Sequence, residues 1–203
     1  MLNSIIFDNN RVVPNKIVCI GRNYVEHIKE LGNEIPSAMV IFNKPNSAIS
    51  QELKFFYDDT RFECEICFLI KDKSIKGVGI GLDLTHASIQ NNLKAKGLPW
   101  ERAKSFDSSA VFSDFILFDD DISNLSMKLY INNKLVQYAS YDLMIYKPYI
   151  MIEEILSFMT LEDYDIIMSG TPKGVGNYKV GDVFRGELFF KDTKILAKEW
   201  IVS

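Results

Sequence analysis

The chain has 203 residues, enough for one domain with a sizeable core, and its 47% hydrophobic and 25% charged residues are the mix of a globular rather than a disordered or membrane protein. A formal net charge of −4 and a pI of about 5.3 give no electrostatic reason to expect nucleic acid or an anionic membrane as partner. Three cysteines do not make a disulfide framework, the start MLNSIIFDNNRVVPNK does not read as a secretion signal, and no apolar run approaches a membrane span, so a cytoplasmic setting is expected.

Val12 to Ile20 predicts a short strand, after which Gly21-Arg22 turns into a helix from Tyr24 to Leu31, with Asn23 placed to cap it and Gly32 to end it. Tyr24, Ile28 and Leu31 form its apolar stripe, and His27 and Glu30 lie three apart beside that stripe. An imidazole with a carboxylate one turn away is the arrangement of a general base whose partner orients it. A surface ion pair is the plainer alternative. The chain has only two histidines, which draws attention to this one.

Met39 to Phe42 reads as a strand, and so does FECEICFLI, from Phe62 to Ile70. Its apolar residues point both ways, as in a strand buried on two faces, yet Glu63 and Glu65 share a face with Cys67. Burying an unpaired carboxylate costs several kcal/mol or raises its pKa, so these two need partners. A hard divalent cation is one answer, and an exposed edge strand with solvated or Lys-paired glutamates is the other. The C-x-x-C of Cys64 and Cys67 has odd spacing on a strand, which sends its sulfurs to opposite faces and favours buried hydrophobes over a redox pair.

Val78 to Leu82 predicts a strand ending in Asp83, a plausible third ligand, and a helix follows from Thr85 to Lys96 until Gly97 stops it. Lys104 falls before the next apolar segment, placed either to neutralise an anion or to be solvated. Asp119-Asp120-Asp121 lacks the spacing of a calcium loop. Asn132-Asn133 marks a type I′ turn between strands Met127 to Ile131 and Lys134 to Tyr138. A helix from Ile150 to Met159, a strand from Asp165 to Met168, the glycine-rich loop SGTPKGVG and terminal strands complete the chain. The loop does not match a nucleotide phosphate loop. Strands outnumber helices, and the reading is a single β-rich α+β domain over 1–203.

Taken together, GRNYVEHIKE, NKPNSA, FECEICFLI, GLDLTHASIQ, KGLPWERAKSFD and IIMSGTPKGVG resemble, in order, the fumarylacetoacetate hydrolase family, nearest its acylpyruvase and oxaloacetate decarboxylase branch. The resemblance implies a roll of mixed β-sheets with a few short helices and a homodimer. It implies Glu63, Glu65 and Asp83 as ligands of Mg²⁺ or Mn²⁺, and His27 with Glu30 as a water-activating pair on a lid helix. Lys104 would act on the substrate's charge, and Gln90 and Thr171 would hold a small 2-oxo acid, with Arg22 a further candidate to bind it. One departure stands out: the family's arginine before the Gln is Ala87 here, leaving Arg22, Arg102 or His86 as candidates to compensate. The implied activity is metal-dependent C–C hydrolysis of acylpyruvates, with decarboxylation of oxaloacetate through the same enolate. Decarboxylation or isomerisation of 2-oxo dioates, and a non-catalytic ligand-binding homologue, are the competing readings.

Overall fold

A computed structural model of the chain describes residues 2–30, 32 and 36–203. Its centre is an eight-stranded mixed sheet. Across it run Val40–Pro45, Lys16–Gly21, Ile166–Met168, Cys64–Lys71, Ser74–Asp83, Ala110–Phe112 and Ile49–Ser50, and Ile116–Leu117 pairs with the first half of Ser74–Asp83. Two of the pairings are parallel, Ile166–Met168 with Lys16–Gly21 and Ala110–Phe112 with Ile49–Ser50. A four-stranded antiparallel sheet, ordered Lys134–Ser140, Leu125–Ile131, Val183–Phe190 and Thr193–Ile201, covers one face of it. Two small sheets and four short helices complete a mostly β, α+β fold among the described residues.

The two-faced strand explains the layering. Ile66, Phe68 and Ile70 pack with Met127, Leu129 and Phe184 of the four-stranded sheet, while Cys67 and Leu69 pack on the opposite face with Ile5, Phe112 and Phe115. Cys64 and Cys67 therefore belong to different hydrophobic clusters, both are free thiols, and burial pushes both above the ordinary thiol range. As the spacing predicts, they cannot pair with each other. The strand expected from Phe62 to Ile70 is broken at Glu63: Thr60–Phe62 joins a small sheet with Gly176–Asn177 and Thr85–His86, and Cys64 onward joins the central one.

Cys64–Lys71 and Ser74–Asp83 form a hairpin over Asp72 and Lys73, whose φ values of 51° and 57° are those of a tight primed turn. Asn132 and Asn133, at φ 50° and 65°, make the other predicted hairpin turn. The alternate glycines of KGVGIGLD face the second cluster and let its aromatic rings lie against the sheet. A Cβ on Gly79 would stand 2.9 Å from Phe115, and one on Gly81 2.6 Å from Cys67 Sγ and 2.9 Å from Phe112.

The helices begin and end close to expectation, with physical reasons for the shifts. Val25–Glu30 starts one residue after Tyr24; Leu31 lies outside the described residues, and Gly32 closes the turn at φ 62° with its N–H donating to Lys29 O. Asn23, expected as a cap, turns its side chain elsewhere: it donates to Ser169 O at 2.8 Å and Tyr146 O at 3.1 Å and accepts from Tyr146 N–H. Thr85 and His86 pair as strand before the Ala87–Ala95 helix, and Gly97 stops that helix at φ 63°. Pro148, favoured in a first helical turn, starts Pro148–Leu156 earlier than the apolar pattern predicts. No helix among the described residues is long and apolar enough to cross a membrane.

Because Gly81 has no room for a side chain, Gly81→Ala should destabilise the fold by about 1–3 kcal/mol through overpacking. Denaturant titration of the variant measures this, and an unchanged midpoint would contradict the packing described.

Candidate metal centre

The hairpin brings together carboxylates twenty positions apart. Cys64 is opposite Leu82 and Glu65 opposite Gly81, and one step further the N–H of Asp83 donates to Glu63 O at 2.8 Å. Each of Glu63, Glu65 and Asp83 thereby offers a carboxylate oxygen within 4.8 Å of the other two. Glu65 and Asp83 are buried on interior strands and Glu63 is half-buried, so a solvated edge strand is removed, while the Lys-paired part of that alternative holds for Glu63, which meets Lys104.

Lys104, the last residue of the short helix Glu101–Lys104, sends its buried ammonium into this cluster. It donates to Asp83 Oδ2 at 2.7 Å, Glu63 Oε2 at 2.9 Å and Thr85 Oγ1 at 2.6 Å, and Thr85 donates in turn to Glu63 Oε1 at 2.8 Å. Behind them, the wholly buried Lys44 donates to the carbonyls of Leu84, Lys104 and Ser109 and to Ser109 Oγ. Its ammonium lies 2.9 Å from Asp83 Oδ1, yet that buried oxygen receives no hydrogen bond. The charges follow from this layout. Burial would raise the Glu63 carboxyl, but Lys104, His27 and the Thr85 hydroxyl together hold the group below its usual range. Burial, then the Asp83 and Glu63 charges, push Glu65 well above its usual range. Burial disfavours the Lys104 charge, but Asp83 and Glu63 hold it above the ordinary lysine range. Three converging carboxylates, one of which has its ionisation resisted by burial, are a donor set that fits a hard divalent cation.

The loop after Ile166–Met168 closes the site. Gly170, at φ 92°, donates its N–H to Glu65 Oε2 at 2.7 Å, and a Cβ there would meet Ile20 O at 2.8 Å. Only glycine satisfies both the positive φ and the close approach. Thr171 Oγ1 donates to Cys64 O and accepts from Gln137 Nε2, each at 2.9 Å, which fixes the loop to the strand that carries the glutamates. Further on, Gly174 N–H donates to both carboxylate oxygens of Glu30, at 3.0 and 3.2 Å. Glu30 Oε2 is 3.1 Å from Nδ1 of the buried His27. With Nδ1–H donating to Glu30, Nε2 is left as an acceptor.

One pocket is lined by Glu63, Glu65, Asp83 and Lys104 together with His27, Gln90, Thr171 and Arg22. Glu30 stands behind His27 rather than in the pocket. Arg22 occupies left-handed backbone at φ 56°, an uncommon conformation for a residue with a side chain and one that gathers at functional sites. Of the candidates to replace the arginine at the Ala87 position, only Arg22 reaches the pocket. Arg102 is exposed, and His86 stacks on Phe106 at 3.9 Å with Nδ1 3.2 Å from Thr60 Oγ1. The sequence reading missed the wall made by Phe42, Trp100 and Lys94. Lys94, four residues after Gln90 on one helix, had a usable signal in that spacing; Phe42 had none.

A family model, fumarylacetoacetate (FAA) hydrolase C-terminal, matches residues 16–198. The chain is 35% identical to oxaloacetate tautomerase YcgM of Escherichia coli over 187 residues, 83% of this chain and 85% of the relative. It is 35% identical to the mitochondrial oxaloacetate decarboxylase of Dictyostelium discoideum over 197 residues, 88% and 90% of the two chains. A crystal structure of an Oleispira antarctica protein, 33% identical, superimposes with a TM-score of 0.93 over 100% of both chains.

Glu65→Gln keeps the Gly170 contact but removes a ligand charge, and should weaken Mg²⁺ or Mn²⁺ binding by more than about tenfold with the fold intact. Lys104→Met, which removes a competing cation, should leave binding unchanged or tighter. Calorimetry on both variants checks this, and normal binding by Glu65→Gln would rule the carboxylates out as ligands.

Proposed function

Since the chain belongs to the fumarylacetoacetate hydrolase family, we propose that it is a divalent-metal-dependent enzyme that stabilises the enolate of a small 2-oxo acid, oxaloacetate foremost. The observation that carries this reading is the Lys104 ammonium bonded to two of three clustered carboxylates in the pocket that His27 also lines. The oxygen-only donor set favours Mg²⁺ or Mn²⁺ over softer metals. The relatives named for oxaloacetate tautomerase and decarboxylase support the choice of substrate.

On Glu63, Glu65 and Asp83 the ion would supply Lewis acidity toward the substrate's 2-oxo carbonyl. Lys104 adds a fixed positive charge beside the oxygens on which an enolate's charge develops, in a site where water screens little. Nε2 of His27 accepts a proton, and Glu30, held by Gly174, supports the imidazolium that results. In tautomerisation that proton leaves the carbon between the two carbonyl groups. Decarboxylation needs the same charge stabilisation and no base for its bond-breaking step. Gln90 and Arg22 line the pocket where they can hold substrate oxygens.

A second reading, C–C hydrolysis of acylpyruvates, is favoured by one specific feature. A His–Glu pair anchored by a backbone N–H is suited to deprotonating water, and the hydroxide would attack the distal carbonyl and release the pyruvate enolate.

Purified protein with Mg²⁺, assayed on oxaloacetate and an acylpyruvate, tests both readings. His27→Ala should lose tautomerisation and any hydrolysis by about 10²–10⁴-fold, the usual effect of removing a general base, and should lose far less decarboxylation. Lys104→Ala should impair all three reactions, because all build charge on the same oxygens. Full oxaloacetate turnover by Lys104→Ala, or turnover that survives removal of divalent ions, would overturn the proposal.

A further inference from the structure

The pocket has a second ammonium that the chemistry above does not use. Lys94 lies on the Ala87–Ala95 helix one turn beyond Gln90, and both residues line the pocket. Lys94 is half-buried, and among the described residues no carboxylate lies within ion-pair distance of it. Its contact is aromatic, with Nζ 5.1 Å from the centroid of the Trp100 ring. Trp100 meets Phe42 at 5.9 Å with the planes tilted by 57°, and the Lys104 ammonium lies 5.2 Å from the Phe42 centroid. One wall of the pocket is thus a pair of touching rings with an ammonium at each end. Lys104 is committed to the carboxylates of the floor. Among the described residues, Lys94 meets only a ring face.

We propose that Lys94 is a specificity-determining residue: its ammonium binds the distal carboxylate of a 2-oxo dioate whose 2-oxo acid end lies on the floor. This rests on the reading of the pocket as a 2-oxo acid site and adds what selects a dianion over a monoanion. A half-buried ammonium without a counter-anion gains more from an arriving carboxylate than a solvated one does. Burial, then the neighbouring Arg22, push it down to about 8, so it is still mainly charged at neutral pH and in surroundings that a carboxylate would improve. The groups that act on it are Arg22, Glu63, Lys104 and Arg61. Of these Glu63 alone is negative, and it is already bonded to Lys104 and Thr85. The Trp100 and Phe42 rings stand between the two ammonium groups, so the wall spaces two cationic ends apart.

The test uses two unreactive 2-hydroxy acids that differ at one end, malate and 2-hydroxybutyrate, titrated calorimetrically into Mg²⁺-loaded protein at fixed ionic strength. The wild type should bind malate more tightly. Lys94→Gln should lose about 10–100-fold of malate affinity, the range for a charge-assisted hydrogen bond, and leave 2-hydroxybutyrate affinity unchanged. Lys94→Arg should restore most of the preference. Turnover gives a parallel readout: Lys94→Gln should raise KM for oxaloacetate with kcat nearly unchanged and leave KM for a monoanionic 2-oxo acid alone. Equal weakening of both ligands, or no preference for malate in the wild type, would overturn this inference alone. Failure of the wild type to bind either ligand would overturn it together with the reading of the pocket.

Discussion

Like charges forced together set the terms for this structure. Two unit charges roughly 4 Å apart at an effective dielectric of 20 repel by about 4 kcal/mol, and three carboxylates in one largely buried corner multiply that cost. Lys104 answers it directly, with an ammonium shared between Glu63 and Asp83. Lys44 answers it from behind, close to Asp83 and bonded to the backbone that carries Lys104 and Ser109. Glu65 has no lysine bonded to it; it has the Gly170 N–H and a strong tendency to stay protonated. The cluster is therefore balanced on one side only, and the unbalanced side is where a cation would fit.

The backbone solves the geometric half of the problem. A continuous strand would have carried Glu63 along with Glu65 into the sheet. Breaking it at Glu63 lets Phe62 pair with Gly176 while Glu65 stays in the central ladder, and the hairpin returns Asp83 to Glu63. Alternate glycines on the returning strand make room on that same face for rings of the second cluster. Carboxylates and packing rings thus share one face of two adjacent strands, the carboxylates at its Glu65–Asp83 end and the rings along the rest.

What could be read in the sequence was whatever depends on local period or local chemistry. The two-sided strand, the Asn-Asn hairpin, the glycine helix stops and the His27–Glu30 spacing are all of this kind, and the structure has them. Convergence of Glu63, Glu65 and Asp83 was inferred from carboxylates in apolar company, and the ladder register supplies the reason. The pocket wall was not legible, because Phe42 and Trp100 meet only through tertiary packing and look like ordinary core aromatics. Asn23 was misread for a similar reason: a capping residue by position, it serves instead to join its turn to Tyr146 and Ser169. His86 looked like a spare cation and is an aromatic ring in a stack.

The strand order has a consequence for how the chain is made. Ile166–Met168 lies between Lys16–Gly21 and Cys64–Lys71, so two early strands wait for a late one. At ordinary translation rates the ribosome reaches that insert on the order of ten seconds after finishing the hairpin's first strand. Throughout that interval the facing edges of both early strands have unpaired backbone groups and exposed isoleucine, valine and phenylalanine, which is the condition for pairing with other nascent chains. The insert is followed at once by Ser169 and Gly170, whose bonds to Ile66 and Glu65 close the acidic corner. Insertion of the last central strand and closure of the acidic corner are therefore coupled, and a chain stalled before Ile166 has a central sheet split at its middle and an open corner.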